Sequence, residues 1–216
     1  MKVLIPVRSG SERVKNKNIK PFAGSNLLSV KIQQMKAING IDGVIVNSNS
    51  DEMLAIAKSL GAEVVKRDEY FATGSVSMNE VYKNMAENCD CDVILFADAT
   101  NPLITNNTIE NCIKTYFSST DKYDSLTTVS EIKQFMWKNG QPINYDKNNK
   151  PRSQDLPDIV ALNHALSIIP RTLMIEKQDI IGEKPNLYKI SALEATDIDT
   201  ELDFEFAEYM YKKYRI

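Results

Sequence analysis

The segment Arg8-Ser9-Gly10-Ser11-Glu12-Arg13-Val14-Lys15-Asn16-Lys17-Asn18-Ile19-Lys20 sets five cations against one acid, in a chain of 216 residues whose net charge is −3. A local basic loop in an acidic protein suits a phosphate chain, which Arg8 and Lys17 can neutralise through charge-assisted hydrogen bonds. Ser9, Ser11 and Asn18 add further donors, and Gly10 gives the backbone access to angles that other residues avoid. The stretch is not a Walker loop, because G-x-x-x-x-G-K-[ST] is absent, and not a dinucleotide fingerprint, because G-x-G-x-x-G is absent too. By composition alone it also reads as a solvated charged turn.

Near the other end lies Asp197-Ile198-Asp199-Thr200-Glu201-Leu202-Asp203. In an extended backbone Asp197 and Asp199 point the same way and present two hard oxygens to Mg²⁺ beside a phosphate chain. The same letters also spell a helix start, since Thr200 with Asp203 is close to a capping box and acids favour the positive end of a helix. Asp98, Thr100 and Asn101 follow the apolar run Val93 to Phe96, and Asp98 reads as a metal or substrate carboxylate, or as a turn residue. Arg67 reads as a contact to a base or phosphate, or as a surface ion pair. His164, the single histidine, sits in VALNHALSII, where a lone histidine reads as a core or edge residue before a catalyst. Trp137 and the aromatics of the C-terminal stretch read as core or interface, because no basic residues interleave with them.

These residues need a scaffold, and the pattern supplies one. Val3 to Val7 reads as a strand, Leu27 to Ile38 as a helix and Val44 to Val46 as a strand. Glu52 to Leu60 follows as a helix capped by Ser50 and closed by Gly61, then Glu63 to Val65 as a strand, Asn79 to Met85 as a helix and Val93 to Phe96 as a strand. Strands separated by helices of this length predict βαβ units, a mainly parallel sheet with helices on both faces, and ligands at the carboxyl ends of the strands. After a helix over Thr108 to Phe117 and a strand over Ser125 to Val129 comes the polar stretch GQPINYDKNNKPRSQDLP, an excursion from the sheet. Ile159 to Ile169 and Leu187 to Ile190 return to it, and Thr200 to Tyr214 forms the final helix. With 43% hydrophobic and 25% charged residues the chain is a globular domain rather than a disordered or fibrous one. Its acidity argues against a nucleic-acid or membrane-surface binder. The five-residue apolar run before Pro6 is too short for an export signal, and Cys89, Cys91 and Cys112 read as free thiols without metal-ligand spacing, so a cytoplasmic protein is expected.

Four motifs resemble one family. IPVRSGSERVKNKNIKPF looks like the N-terminal signature of the acylneuraminate cytidylyltransferases. TNPLIT resembles their TSPLRT, SQDLP with Asn163 resembles their QxLP and asparagine-glycine-alanine segment, and DIDTELDFEFAE is similar to their C-terminal signature. The resemblance spans the chain in order. It implies a Rossmann-like nucleotidyltransferase of three layers, one domain over residues 1–216, with residues 130–170 as an excursion that makes a homodimer. It further implies transfer of CMP from CTP to the anomeric hydroxyl of sialic acid or a related nonulosonic acid, with Mg²⁺ as cofactor. By position, Arg8, Ser9, Gly10, Ser11, Lys17, Asn18 and Arg67 would hold the nucleotide, with Arg8, Lys17 and Asp199 catalytic and Asp197 and Asp199 on the metal. Asp98, Thr100, Asn101, Arg152, Gln154 and Asn163 would face the acceptor, Arg152 across a dimer interface. The departures fall on that side: Asp98 replaces the family glutamine, Ile104 and Ala161 replace arginines, His164 a glycine, and Ile180 and Ile181 stand where aromatics are expected. One loop cation is Glu12 here, with Arg13 beside it to compensate. Other acid acceptors, a 3-deoxy-octulosonate or a phosphonate, and a nucleotide-binding subunit without turnover are the alternatives.

Overall fold

The computed structural model describes residues 1–11 and 13–215. Alternation along each strand decides which side chain enters which face of the sheet. In β1 (Lys2–Pro6), Val3 and Ile5 enter one core and Leu4 the other. A two-residue pair, β2 (Pro21–Phe22) and β3 (Ser25–Asn26), then leads into α1 (Leu27–Lys36). In β4 (Gly43–Ser48) the alternation repeats, with Val44 and Val46 opposite to Ile45. After it come α2 (Asp51–Ser59), β5 (Glu63–Lys66), a 3₁₀ turn at Glu69–Ala72, α3 (Met78–Glu87) and β6 (Val93–Phe96). The chain continues through α4 (Asn106–Ser118), β7 (Ser125–Ile132), β8 (Trp137–Lys138) and β9 (Gln141–Pro142). It ends with β10 (Ile159–Pro170), α5 (Arg171–Lys177), β11 (Pro185–Lys189) and α6 (Glu201–Arg215).

Short polar residues start the helices, Ser50 among them as the sequence predicts. Asn26, Ser50, Ser77 and Thr105 each accept a hydrogen bond from the backbone N–H three residues on, which satisfies donors that have no partner inside the helix. Gly61, at φ +73°, turns the chain out of α2 into β5.

Seven strands form one sheet in the order β11-β7-β10-β6-β1-β4-β5. All neighbours pair in parallel except β10, which runs antiparallel to both β6 and β7. One core, on the face covered by α1, α2, α4 and α6, includes Leu28, Ile32, Met35, Ile109, Phe204 and Ala207. The opposite core, under α3 and α5, holds Val81, Met85, Phe96, Ile169, Met174 and Ile180. The result is the expected three-layer α/β architecture with a mainly parallel sheet. Each fully buried aliphatic side chain in these layers contributes about 1.5–3 kcal/mol of transfer free energy.

Two details differ from the sequence reading. The excursion is narrower than residues 130–170: the chain leaves the sheet after Ile132 and rejoins it at Ile159, because the apolar run of β10 pairs with β7 and β6. Helix α5, buried through Met174, also goes unpredicted, since seven residues give too short a periodic window. Among the described residues no helix is long and apolar enough to cross a membrane.

Candidate active site

The carboxyl ends of β1, β5 and β6, with α3 and the bulge of β10, enclose a cavity of about 750 Å³. One side is charged: Arg8, Ser11, Arg13, Lys17, Asn18, Arg67, Asp98 and Asp199 line it. The other is apolar, built from Phe71, Val76, Val81, Tyr82, Met85 and Phe96.

Each charged residue is placed by a local device. Gly10 has φ +81°, a left-handed angle, so the loop after β1 turns back there. Ser9 is pinned beside it, its N–H donating to Asn49 Oδ1 at 3.0 Å and its Oγ accepting from Asn49 Nδ2 at 2.8 Å. The Arg8 Nη1 donates to the carbonyl of Ala72 at 3.1 Å. Arg67 is buried at 4% exposure and is braced on Asn47, through Nε to Oδ1 at 2.6 Å and through Nη2 to the carbonyl at 3.0 Å. Burial and the nearby Arg8 guanidinium pull its pKa down to about 10, so it stays charged at neutral pH. Two guanidiniums that repel each other at a cavity wall form a site that an anion relieves.

Asn18 is buried, and its carbonyl accepts from the Leu28 N–H at 3.0 Å, which fixes the loop onto α1. The Lys17 ammonium donates to the carbonyl of Ile198 and stands 3.8 Å from Asp199. Arg13 pairs with the same carboxylate at 2.8 Å. Ile198 itself is fully buried and donates its N–H to the Thr100 carbonyl at 3.0 Å. The Asp197–Asp199 alternation is therefore real: the middle residue goes into the core and its neighbours face outward. Asp199 lines the cavity, while Asp197 is exposed just outside the lining, close enough for its charge to act on Asp98.

That charge is felt at Asp98, where β6 ends. Burial first and the Asp197 carboxylate second push its carboxyl up to about 7, while Lys31 and Lys17 pull it back. Lys31 is fully buried beneath this loop and donates to the Asn101 carbonyl at 2.9 Å and to Gln34 at 3.1 Å.

Of the acceptor-side residues, Asp98 and Thr100 line the cavity and the others do not. Thr100 lines the cavity beside Asp98, but Asn101 is fully buried. Its amide donates to the Thr196 carbonyl at 3.1 Å and to the Asn163 carbonyl at 3.4 Å, so it ties loops together instead of facing a substrate. Asn163 spends both ends of its amide on its own neighbourhood. Its Oδ1 accepts from Thr128 Oγ1 at 2.7 Å and from the Ala165 N–H at 3.2 Å, and its Nδ2 donates to Ser130 at 3.1 Å. Arg152 pairs with Asp155 at 2.7 Å, and it and Gln154 are exposed on the excursion, away from this chain's cavity. Ile104 and Ile180 are core residues. Glu12 lies outside the described residues.

Two features went unforeseen. His164 is exposed on the cavity rim at φ +54°, in the bulge between Leu162 and Ser167, so it is not the core or edge residue the apolar run suggests. Its place after Asn163, where the resembled motif has glycine, was the available signal. The second is Glu194, whose Oε1 accepts from Thr105 Oγ1 at 2.8 Å and from the Thr105 N–H at 3.2 Å, and whose Oε2 accepts from Ser191 at 2.9 Å. Burial pushes its carboxyl up, but a bond from Thr108 at 2.5 Å, with those from Thr105 and Ser191, outweighs it, holds the group below the usual range and fastens the segment before Asp197 to the start of α4.

A cleft of this kind, with cations, carboxylates and amides at the carboxyl edge of a doubly wound sheet, suits a nucleotide substrate. The family comparison agrees: the chain belongs to the cytidylyltransferase family, whose model matches residues 2–215. It is therefore a CTP-dependent nucleotidyltransferase. The chain is 26% identical over 220 residues to a pseudaminic acid cytidylyltransferase of Campylobacter jejuni, covering 97% of this chain and 95% of that one. It is 27% identical over 214 residues to N-acylneuraminate cytidylyltransferase A of Danio rerio, covering 95% of this chain and 49% of that one. A solved CMP:2-keto-3-deoxy-manno-octonic acid synthetase complexed with CTP superposes with a TM-score of 0.73 over 98% of both chains, at 12% identity, which shows the shared fold.

Proposed function

We propose that this chain transfers CMP from CTP to the anomeric hydroxyl of a nonulosonic acid, a nine-carbon acidic sugar, and releases pyrophosphate. The observation that carries the reading is the single cavity that Arg8, Lys17, Arg67 and Asp199 line together, with Lys17 3.8 Å from the Asp199 carboxylate. The relatives named for pseudaminic acid and for N-acylneuraminate support the acceptor class.

Transfer of a nucleotidyl group asks for alignment and charge neutralisation more than for covalent chemistry. Arg8 and Lys17 bind the triphosphate oxygens, Asn18 and Ser11 add donors, and Arg67 holds the nucleotide from behind. The carboxylates suit Mg²⁺. Among the described residues no three such side chains form a closed cage. Mg²⁺ commonly takes one or two carboxylates plus phosphate oxygens and keeps several waters, and Asp199 at the cavity with Asp197 two residues before it would supply such a pair. The ion, when bound, lowers the negative charge that an attacking hydroxyl must approach. Asp199 and Asp197 would hold it, and Asp98 faces the acceptor, where a carboxyl near neutrality can take a hydrogen bond or a proton from a hydroxyl.

We further read the excursion as a homodimer surface. Phe135, Trp137 and Tyr145 cluster there, Trp137 half exposed, with Lys147 and Lys150 over the rings. In a dimer the exposed Arg152, paired here with Asp155, and Gln154 would serve the partner's cleft.

Asp199→Asn tests the active-site reading. Turnover of CTP should fall roughly 100-fold or more with the melting temperature little changed. Full activity in that variant would remove Asp199 from the site.

A further inference from the structure

The strained residue of the β10 bulge is also the one that the bulge delivers to the cavity. His164 sits at φ +54°, where a side chain costs about 1 kcal/mol, and its imidazole stands exposed on the rim. Asn163 holds it there by spending its amide on Thr128, Ser130 and the Ala165 N–H. Strand β10 pairs antiparallel with β6 from Ser167 opposite Phe96, so the chain before Ser167 runs beside the turn after Phe96. The Asn101 amide, donating to the Asn163 carbonyl at 3.4 Å, ties the two together. His164 thus belongs to the side of the cavity that carries Asp98 and Thr100. The cations belong to the other side. Arg8 and Lys17 follow β1, Arg67 follows β5, and the sheet order puts β1, β4 and β5 beyond β6 from β10.

We propose that His164 is an acceptor-binding residue, its imidazole N–H donating to the carboxylate of the acid sugar at the β10 rim. The inference rests on the nucleotidyl-transfer reading and deepens it to one contact of the acceptor. A triphosphate neutralised by Arg8, Lys17 and Arg67 leaves the β6–β10 side for the second substrate. A nonulosonic acid carries its carboxylate on the carbon that bears the reacting hydroxyl, so the carboxylate enters the cavity with that hydroxyl. Asp98, when ionised, repels it. Among the described lining residues of that side, Phe96, Asp98, Ala99, Thr100 and His164, the imidazole is the one side chain with a nitrogen donor. The bulge brings this donor to the rim under strain, which a purely structural corner would shed by using glycine.

The test is steady-state pyrophosphate release by the wild type, His164→Asn and His164→Asp in Mg²⁺, with pseudaminic acid and N-acetylneuraminate each assayed as acceptor and circular dichroism to confirm the fold. Asparagine and aspartate match in shape and both tolerate the left-handed backbone, so charge alone separates the two variants. The acceptor KM should rise roughly three- to tenfold in His164→Asn and about threefold or more again in His164→Asp. The KM for CTP should move less than about twofold, since the triphosphate lies on the other side of the cavity. Equal acceptor KM in the two variants would reduce His164 to a structural corner, and a KM for CTP that rises with the acceptor's or instead of it would place the imidazole on the nucleotide. Either result overturns the assignment while leaving the reaction intact. No CMP conjugate from the wild type with either acid would overturn the nonulosonic acid reading itself, and the contact with it.

Discussion

Asp98 is the residue whose charge state most separates this site from a generic nucleotide cleft. Its folded pKa, about 7, lies above the ordinary 3.8, so the folded chain holds the proton more tightly than the unfolded one. Its stabilising contribution is thus complete below about pH 4 and is lost as pH rises towards 7. An Asp98→Asn variant carries no charge at any pH. In metal-free buffer it should melt at nearly the wild-type temperature at pH 4 and roughly 2–6 °C above it at pH 8. A difference that does not change with pH would show that Asp98 ionises normally. The basic loop and the paired aspartates were legible as candidates from residue type and spacing. The burial of Asn101 was not, because a short polar residue after a strand reads alike whether it faces a ligand or braces two loops.

At the scale of elements, nearly every strand and helix that carries the site follows from alternation, capping residues and helix length. What escaped was decided by contacts distant in sequence. The direction of β10 is set by its return from the excursion straight onto β7, and its bulge places His164 at φ +54°. A non-glycine residue there bears strain of about 1 kcal/mol. His164→Gly should therefore stabilise the chain by about 0.5–1 kcal/mol in urea denaturation, the extra freedom of glycine in the unfolded chain offsetting part of the relief. A loss of stability would mean that the imidazole makes contacts worth more than the strain. The same variant reports whether the rim side chain shapes the acceptor, through the acceptor's KM at constant KM for CTP.

For the whole molecule, the segment between β7 and β10 extends from the sheet and exposes aromatic surface that the chain itself does not cover. Trp137 is half exposed, with Ile143 and Leu162 accessible in the same part of the chain. If this surface joins two copies, Trp137→Glu should shift sedimentation from dimer to monomer and weaken acceptor use, since Arg152 and Gln154 would lose the partner's cleft. A monomeric wild type would end that assignment. The cavity keeps the basic loop and Asp199, and of the departures from the resembled motifs only Asp98 and His164 line it, Ile104 being in the core. The most direct measurement is pyrophosphate release from CTP and Mg²⁺ across a panel of nonulosonic acids, octulosonates and phosphonates, with mass spectrometry of the conjugate. A CMP-linked nonulosonic acid as the preferred product is the result predicted here. Pyrophosphate release only with an acceptor of another class, or with none in the panel, would contradict it.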